Sequence, residues 1–467
     1  MTNAQCAFCA AQLRRVIHPL FMNNSANNFD VIIIGGGPAG SGAASILARE
    51  GRRVVVFEKE KFPRHHVGES LMPHTYLAFQ RMGLLEKMKE GPFVKKFSVQ
   101  FTNSAGKESR PFYFFEANHH ESAVTWQVTR SAFDEMLINH AAEQGAKVYQ
   151  ETPVKRVLFE NERAVGVEVT INGATQTFYA PVTIDATGQN AMLSNKFRWR
   201  VRDPGLDKAV LYTYYKGARR EADLNGGATL VLRTGPESNG WFWYIPLEND
   251  ITSVGIVADP DYLVKDRGQD LARIFQEEVE KCDACYQRVR GAEQVDKIYA
   301  ITDYSYRSQH SAGDGFIIIG DAYGFLDPIY SSGVLLAFAM AELAADAIHQ
   351  AFQHNDFSGA RLGSFQPKLD KGIESMRKLV YAFYAEDFSF GKFLMKYPQH
   401  RIDVIDLLIG NIFREGVDEV YGPMAEFAEL PPPLTATAVV APKANGAIAP
   451  EEMLPATILY YEDRAIA

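Results

Sequence analysis

The sequence predicts an α/β protein in which a domain built on a parallel sheet carries an inserted antiparallel sheet and is followed by a helical C-terminal region. Three observations support this prediction. A buried strand, a glycine-rich turn and a helix follow one another in 29–60, strands with alternating aromatic residues occupy 209–257, and helical patterns dominate 365–428. The length of 467 residues suits a layered domain of this kind.

The first unit, DVIIIGGGPAGSGAASILAREGRRVVVFEKE, contains each part of a Rossmann-like dinucleotide site. Gly35, Gly37 and Gly40 form a GxGxxG turn that lets the backbone approach a pyrophosphate. Ala39 stands in that turn, at the start of a helix whose positive end faces the phosphates. The next strand ends at Glu58, a carboxylate that can bind a ribose hydroxyl. The unit predicts dinucleotide binding, with a glycine-rich turn that binds no ligand as the alternative.

Two later strand ends favour FAD over NAD as the dinucleotide. The strand PVTIDATG ends in a turn of small residues at 186–188, and GDGFIIIGDA places Asp321 at the carboxyl end of another strand. There Asp321 can accept hydrogen bonds from a polyol chain. Arg130 and Gln127 precede the helix of RSAFDEMLINHAAEQG, and we expect them to reach the cofactor as well.

Segments of the chain resemble known flavoproteins. Together with PRHHVGES at 63–70, these stretches resemble the FAD monooxygenases of the p-hydroxybenzoate hydroxylase type over about 29–350. Within that superfamily, two signatures resemble those of the flavin-dependent halogenases. The first, WxWxIP, is matched by Trp241, Trp243, Ile245 and Pro246. The second, FxxPxxSxG, is matched by Phe325, Pro328, Ser331 and Gly333.

The position of one lysine resembles that of the reactive lysine in the phenol- and pyrrole-acting branch of that family. In FVKKF, the second lysine, Lys96, aligns with the reactive lysine of that branch. The tryptophan-acting branch carries its lysine where this chain has Leu77, and a glutamate where it has Tyr330. Tyr330 also replaces a phenylalanine of the phenol and pyrrole branch, which would place a hydroxyl near the halide. The resemblance therefore favours that branch.

The resemblance implies a chemistry for these residues. Reduced FAD and O2 would convert chloride or bromide to hypohalous acid, with the halide held by the backbone N–H groups of Ser332 and Gly333 at a helix start. Trp241 and Trp243 would keep the arene away from the flavin ring. Lys96 would hold the electrophilic halogen beside an electron-rich aromatic substrate, which arrives free or tethered to a carrier protein.

The resemblance also implies a domain arrangement and partners. A second dinucleotide fold is not evident, so we expect a separate flavin reductase to supply FADH2. The predicted parts are a flexible tail (1–28), an FAD-binding domain (29–355, comprising 29–92, 126–200 and 296–355), a substrate sheet (93–125 and 201–295), a helical region (356–430) and a Pro/Ala-rich tail (431–467). Relatives run further at the C-terminus in a segment that covers the pocket, so we expect a more open pocket here.

Composition excludes several other classes. The formal net charge is −9, from 48 basic and 57 acidic residues, which argues against nucleic-acid binding. The most apolar run, Val334–Glu342, is short and contains a carboxylate, so we predict no membrane span. No secretory signal is evident, and we expect a cytoplasmic protein. The CxxC pairs Cys6/Cys9 and Cys282/Cys285 are better explained by a tail and a helix face than by a metal site.

Two other functions remain open from the residues. One is an FAD-dependent monooxygenase, or a geranylgeranyl-reductase-like oxidoreductase, that does not use halide. The other is a flavin-binding partner protein in which the halogenase signatures only pack the core. A halide-dependent change in product mass would separate the first from a halogenase.

Overall fold

A computed structural model gives the fold and describes residues 26–116, 119–302, 304–386 and 388–434. Most of the predicted N-terminal tail, with Cys6 and Cys9, lies outside the described residues, as does the predicted C-terminal tail beyond residue 434. Asn28 is described, and it is buried and bridged to Tyr179. Asn28 is therefore part of the packed structure, although the sequence analysis assigns it to the tail.

Helices and strands alternate along the chain in a mixed α/β order. The helices are α1 (Pro38–Arg49), α2 (Thr75–Met82), α3 (Leu85–Glu90), α4 (Arg130–Glu143), α5 (Met192–Lys196), α6 (Pro260–Leu263), α7 (Leu271–Lys281), α8 (Asp283–Val289), α9 (Ser332–His354), α10 (Gly359–Leu362), α11 (Gln366–Tyr384), α12 (Phe390–Lys396), α13 (Arg401–Ile409) and α14 (Tyr421–Met424). The strands are β1 (Val31–Ile34), β2 (Val54–Phe57), β3 (Val94–Lys96), β4 (Ser98–Thr102), β5 (Phe112–Tyr113), β6 (Thr125–Gln127), β7 (Lys147–Tyr149), β8 (Val154–Glu160), β9 (Arg163–Ile171), β10 (Ala174–Tyr179), β11 (Val182–Asp185), β12 (Arg200–Arg202), β13 (Ala209–Lys216), β14 (Thr229–Arg233), β15 (Trp241–Pro246), β16 (Ile251–Ala258), β17 (Glu293–Gln294), β18 (Tyr299–Thr302), β19 (Tyr306–Ser308), β20 (Ala312–Gly313), β21 (Phe316–Ile318) and β22 (Gly324–Phe325).

The glycine-rich turn belongs to a sheet with the strand order β20–β21–β11–β1–β2–β7. β1 pairs in parallel with β2 and β11, and β11 pairs in parallel with β21. β1 and β2 are buried along their whole length, as expected for strands covered on both faces, and α1 connects them. The carboxyl ends of β1, β11 and β21 therefore meet at one edge, where α/β proteins bind ligands. The Rossmann-like fold class is confirmed.

The inserted sheet has the strand order β17–β13–β16–β15–β14–β4–β5, and β18 also pairs with β13. The side chains of β15 alternate between two cores because a strand has a period of two. Trp241, Trp243 and Ile245 face the core shared with the parallel sheet. Phe242 and Tyr244 face a second core beneath α7 and α8. The aromatic strand therefore separates the inner layer of the protein from an outer helical layer.

Two strands pair differently from the prediction. The pattern of 93–125 predicts one inserted layer, but β3, which carries Lys96, pairs with β6 in a separate two-stranded sheet. β18 joins the inserted sheet, although 296–355 is assigned to the FAD-binding domain. Alternation of side chains identifies a strand but does not select its partner, because the partner lies far away in the sequence.

The C-terminal helices pack against the inserted sheet. Phe390 of α12 lies 6.0 Å from Phe101 and 6.2 Å from Phe112, measured between ring centroids. The Pro/Ala-rich tail predicted from residue 431 is held at its start, because Pro432 accepts a hydrogen bond from Arg377 of α11 (2.7 Å). Contacts with the helical region therefore continue past residue 431.

Helix α9 is longer than its most apolar run suggests. It has 23 residues and is long and apolar enough to cross a membrane, but 67% of its most apolar window is buried inside the protein. Such burial is typical of a core helix.

The second CxxC pair does not lie on one continuous helix. Cys282 lies between α7 and α8 and belongs to neither helix. The continuous helical pattern predicted for this segment is therefore corrected to two short helices. Cys282 and Cys285 are both buried and free. Among the described residues, no group of three or more His, Cys, Asp or Glu side chains is placed to hold a metal ion.

Candidate active site

A cavity of about 550 Å³ lies between the carboxyl edge of the parallel sheet and the inner face of the inserted sheet. The residues singled out in the sequence that line it are Gly35, Gly37, Ala39, Glu58, Arg130, Trp241, Trp243, Ile245, Asp321, Phe325, Pro328, Ser331 and Gly333. Gly40, Lys96, Pro246 and Ser332 are set back from this lining. The fold therefore brings the dinucleotide motif and both halogenase signatures to one cavity.

The three glycines of the turn serve different purposes. A Cβ at Gly35, which has a positive φ of 103°, would lie 2.3 Å from the carbonyl oxygen of Ala186, and one at Gly40 would lie 1.9 Å from the carbonyl oxygen of Gly35. A Cβ at Gly37 would meet only Arg64 Nη2, at 3.4 Å. Gly35 and Gly40 are therefore required by packing, whereas Gly37 leaves the start of α1 open to the cavity, as phosphate binding needs.

Arg64 is a cavity residue that the sequence reasoning missed. Its guanidinium lies beside Gly37 and pairs with Asp134 at 3.3 Å. A cation next to a helix N-terminus is well placed to meet a pyrophosphate. Arg64 stands within PRHHVGES, but the sequence does not indicate that this segment folds over the glycine-rich turn.

Two carboxylates lie on the cavity wall. Glu58 Oε2 accepts a hydrogen bond from the N–H of Gly36 (2.7 Å), and Oε1 accepts one from the N–H of Glu60 (2.9 Å). Glu58 thereby fixes the turn while facing the cavity. Asp321 follows β21. Burial raises the pKa of Asp321 to about 6, although the positive charge of Arg130 acts to lower it. These positions suit a ribose and a polyol chain respectively.

Arg130 and Gln127 are engaged by the protein. Arg130 binds both oxygens of Asp134 (2.8 and 3.0 Å) and also donates to the carbonyls of Val67 and Gly68. Arg130 lines the cavity, but its hydrogen bonds mainly hold the loop that contains Val67 and Gly68 in place. The amide nitrogen of Gln127 donates to the carbonyl of Gly227 and to Thr229, and Gln127 is not among the lining residues. The expected contact of Gln127 with the cofactor is wrong, because its side chain turns toward the inserted sheet.

This arrangement fits FAD. An open helix N-terminus and Arg64 would hold the pyrophosphate, Glu58 a ribose, and Asp321 the polyol. The cavity then continues to Trp241 and Trp243, which leaves room for a flavin ring beyond the polyol. Bound there, FAD would supply the redox chemistry with O2 that no side chain can perform.

Both indoles of β15 are fixed by hydrogen bonds at their polar edge. Trp241 Nε1 donates to the hydroxyl of Tyr384 (2.9 Å), and Trp243 Nε1 donates to the hydroxyl of Ser253 (3.0 Å). Gly255, on the neighbouring strand β16, makes room for the ring of Trp243, since a Cβ there would lie 2.3 Å from it. The rings therefore present apolar surface to the cavity, which suits spacers over a flavin.

The second signature forms a tight loop before α9. Asp327 accepts a hydrogen bond from the N–H of Ile329 (2.9 Å) and so caps the turn Pro328–Tyr330. Ser331 adopts a positive φ of 58°, and α9 begins at Ser332. The amides of Ser332 and Gly333 belong to the first turn of α9, where N–H groups lack acceptors within the helix. The loop is thus a suitable place for an anion.

The hydroxyl of Tyr330 does not face the cavity. It lies 3.4 Å from the carbonyl oxygen of Leu379 in α11, and Tyr330 is not among the cavity-lining residues. The expectation that this hydroxyl stands near the halide is therefore wrong. The reason is the C-terminal helix α11, which packs against the loop and offers a backbone acceptor.

Lys96 is buried next to the cavity, whereas its neighbour Lys95 is exposed. The amine of Lys96 donates to the hydroxyl of Ser70 (2.9 Å) and the carbonyl oxygen of Leu71 (3.1 Å), and it lies 5.5 Å from the ring of Phe114. Burial lowers its pKa from 10.5 to about 7. Ser70 lines the cavity, so one hydroxyl separates the amine from the flavin side.

Glu69 is a second lining residue that the sequence reasoning missed. It is buried, its Oε1 accepts a hydrogen bond from Tyr214 (2.7 Å), and burial raises its pKa to about 7. Its position on the cavity wall, adjacent to Ser70 in the chain, is compatible with holding a proton. Glu69 stands in the segment PRHHVGES, but nothing in the sequence distinguishes it from an ordinary surface glutamate in a loop.

Comparisons with known proteins identify the family of this chain. Residues 116–391 match the model of the tryptophan halogenase family, and residues 30–195 match that of the FAD-dependent oxidoreductases. The chain is 32% identical over 422 residues to the 1H-pyrrole-2-carbonyl-(peptidyl-carrier protein) chlorinase of Pseudomonas fluorescens, covering 86% of this chain and 93% of that protein. It is also 32% identical over 407 residues to the corresponding brominase of Pseudoalteromonas luteoviolacea, covering 84% and 97%.

Solved structures give the same result. The flavin-dependent brominase Bmp2 matches with a TM-score of 0.77 and 30% identity over 86% of this chain and 99% of that chain. The myxobacterial chondrochloren halogenase CndH matches with a TM-score of 0.72 and 29% identity over 86% and 96%. Similarity of this extent, with both signatures at one cavity, confirms the fold, the FAD cofactor and the use of halide predicted from the sequence. The chain belongs to the flavin-dependent halogenases, FAD-dependent oxidoreductases of the Rossmann-like class.

Proposed function

We propose that this enzyme halogenates a pyrrole or phenol ring beside Lys96, and that the ring arrives on a carrier protein. The observation that carries the proposal is the amine of Lys96, which is buried, has no carboxylate among its described contacts and is one hydroxyl away from the cavity. Burying a lysine in this way disfavours folding, so a purpose other than stability is expected.

The residues of the cavity divide the reaction between two places. Reduced FAD, when bound in the cavity, would supply the two electrons with which O2 and halide are converted to hypohalous acid and water. The loop before α9 offers backbone N–H groups to the halide, through Ser332 and Gly333. Trp241 and Trp243 fill the space that an arene would otherwise occupy beside the flavin. The electrophile is thus made on one side of Ser70 and used on the other.

Lys96 suits a relay because its pKa is near 7. At pH 7, about half of the Lys96 side chains therefore carry a neutral amine, whereas very few ordinary lysine side chains do. A neutral amine can take the halogen from hypohalous acid, forming an N–halogen bond and releasing water, while a protonated amine can hydrogen-bond to the acid. Either form holds the halogen at a fixed point.

Apolar side chains near Lys96 favour a flat, apolar substrate. Phe114 lies next to the amine and packs in a small cluster with Ala123, Ile405 and Ile409. Ile405 and Ile409 belong to α13, so the C-terminal region contributes to this wall. The relatives named as acting on pyrrole attached to a carrier protein support the same ring and the same delivery for this chain.

Two further parts of the proposal concern supply and place. We infer that a separate flavin reductase provides FADH2, because the described chain contains one dinucleotide site. We also place the enzyme in the cytoplasm, where reduced nicotinamide for such a reductase is available. Chloride and bromide both remain substrates in this proposal.

The test compares Lys96→Ala with Lys95→Ala. Lys96→Ala should bind FAD and oxidise FADH2 with O2 at the rate of the unmodified enzyme, but form no halogenated product from a carrier-bound pyrrole or a simple phenol. Lys95→Ala should be close to neutral, since its side chain is exposed. Lys96→Arg should also fail, because guanidinium stays protonated at neutral pH.

Halogenated product per FADH2 oxidised is the quantity to measure, by mass spectrometry with and without bromide. Full product from Lys96→Ala would reject the relay. Oxygenated product in the absence of bromide, with no brominated product in its presence, would instead support the monooxygenase alternative. Equal rates with carrier-bound and free pyrrole would remove the carrier protein from the proposal.

A further inference from the structure

The last two residues of α11 contact both halogenase signatures. The hydroxyl of Tyr384 accepts a hydrogen bond from Trp241 Nε1 (2.9 Å) and donates one to Asp327 Oδ2 (3.0 Å). The ring of Phe383 lies 6.2 Å from Trp241 and 6.3 Å from Tyr330, measured between centroids. The sequence does not indicate this contact, because α11 lies in the C-terminal helical region, outside both motifs.

Asp327 carries the connection into the loop before α9. Its carboxylate is fully buried, and its other oxygen, Oδ1, accepts the N–H of Ile329 (2.9 Å). The turn that Asp327 caps leads directly to Ser331 and to the start of α9. A continuous chain of hydrogen bonds therefore runs from the indole of Trp241, through one hydroxyl and one carboxylate, to the backbone of the loop.

Tyr384 is itself held in place from a third direction. The amine of Lys208 lies 4.1 Å from the centroid of its ring, and Lys208 is buried and paired with Asp259. An ammonium over an aromatic face is attracted to it, most strongly where water is excluded. The Tyr384 hydroxyl is thus fixed between Trp241 and Asp327.

We propose that Tyr384 is a positioning residue that couples the orientation of the Trp241 indole to the loop 327–333, so that α11 sets the separation between the aromatic strand and the halide-binding loop. A single hydroxyl that both accepts and donates must move with both partners. Loss of either bond leaves a polar group unpaired in a water-poor site, which is costly. The coupling is a property of the chain and does not depend on Lys96.

The test follows the Trp241 indole directly in protein labelled with 5-fluorotryptophan. The chain has four tryptophans, and Trp241→Phe assigns the resonance of Trp241 in the fluorine NMR spectrum. Tyr384→Phe should move that resonance and leave the others close to their places. Asp327→Asn should also move it, although Asp327 does not bond to Trp241. In the Tyr384→Phe background, Asp327→Asn should have no further effect on it.

Tyr421→Phe is the matched control. Tyr421 is a buried tyrosine whose hydroxyl donates to the carbonyl oxygen of Ser375 in α11, and neither Trp241 nor Asp327 is among its described hydrogen-bond partners. It should leave the Trp241 resonance unchanged. A purely structural role for Tyr384 would predict similar small changes for both variants and for all tryptophans.

The functional consequence is measured with the FAD-loaded enzyme. Tyr384→Phe should keep FAD affinity within about twofold but raise the bromide concentration for half-maximal rate by about five- to tenfold, because the loop 327–333 loses its hydrogen bond to α11. An Asp327→Asn effect on Trp241 that persists without the Tyr384 hydroxyl would overturn the coupling, as would an unchanged resonance in Tyr384→Phe. Both outcomes are independent of whether Lys96 relays halogen.

Discussion

At the scale of single residues, Lys96 is distinguished by its environment. A lysine in the sequence FVKKF is ordinarily a solvated strand residue, and Lys95 is one. Lys96 is instead buried with only neutral hydrogen-bond partners, Ser70 and Leu71, among its described contacts. Removal from water, with no compensating anion, explains the lowered pKa.

This burial predicts a pH-dependent gain in stability for Lys96→Met. The folded-state pKa is about 7 and the ordinary value is 10.5, so between these values the unfolded chain holds a proton that the folded chain does not. The free energy of unfolding therefore rises with pH across that window. Lys96→Met should be more stable than the unmodified protein by a few kcal/mol at pH 6, and this gain should vanish near pH 10.5.

Chemical denaturation at several pH values measures this gain, with Lys95→Met as the control because its side chain is exposed. A stability difference that does not vary between pH 6 and 10 would mean that Lys96 titrates normally in the folded protein.

At the scale of elements, the turn between β1 and α1 shows how one motif combines a packing requirement with a binding requirement. Gly35 and Gly40 leave no space for a side chain, because backbone atoms stand where a Cβ would be placed. Gly37 faces the cavity and meets only the end of a flexible arginine. The two functions of the motif can therefore be separated by substitution.

Gly37→Ala and Gly40→Ala should fail in different ways. Gly37→Ala should fold with nearly unchanged thermal stability in the absence of FAD but bind FAD at least about tenfold more weakly, since the methyl group would stand where the backbone meets the pyrophosphate. Gly40→Ala should lose stability, because its Cβ would lie 1.9 Å from the carbonyl oxygen of Gly35. Flavin absorbance and thermal unfolding of the apo-protein separate these outcomes; equal FAD affinity for Gly37→Ala would contradict the placement of the pyrophosphate.

At the scale of the whole molecule, the C-terminal helices are part of the active-site architecture. α11 reaches both signatures through Phe383 and Tyr384, and α13 contributes to the wall beside Lys96. α11 is held to the chain before β13 by Asp203, which is buried and binds both Arg377 and Tyr381. The helical region and the FAD-binding domain should therefore unfold together.

Asp203→Ala tests this coupling. It would remove one carboxylate partner of Arg377, which keeps Glu374, and the described acceptor of the Tyr381 hydroxyl, at a cost of about 1–3 kcal/mol. We expect a lower melting temperature together with weaker FAD binding, in one cooperative transition. Asp207→Ala, four residues away and exposed, is the control and should change neither. Separate transitions, or unchanged FAD affinity in Asp203→Ala, would show that the helical region is energetically independent of the cavity.

Local patterns in the sequence determined the fold class, the FAD turn and the aromatic strand with its alternating faces, whereas the choice between two adjacent lysines came from the family resemblance. The first three features follow from short-range periodicity and from backbone space at glycines, which neighbouring residues largely decide. Tertiary structure alone decided the pairing of β3 with β6, the turning of the Tyr330 hydroxyl to α11, the arrival of Arg64 and Glu69 at the cavity, and the contact of Tyr384 with Trp241 and Asp327. Their partners lie far away in the chain, and a contact of this kind depends on how whole layers pack, which no local pattern records.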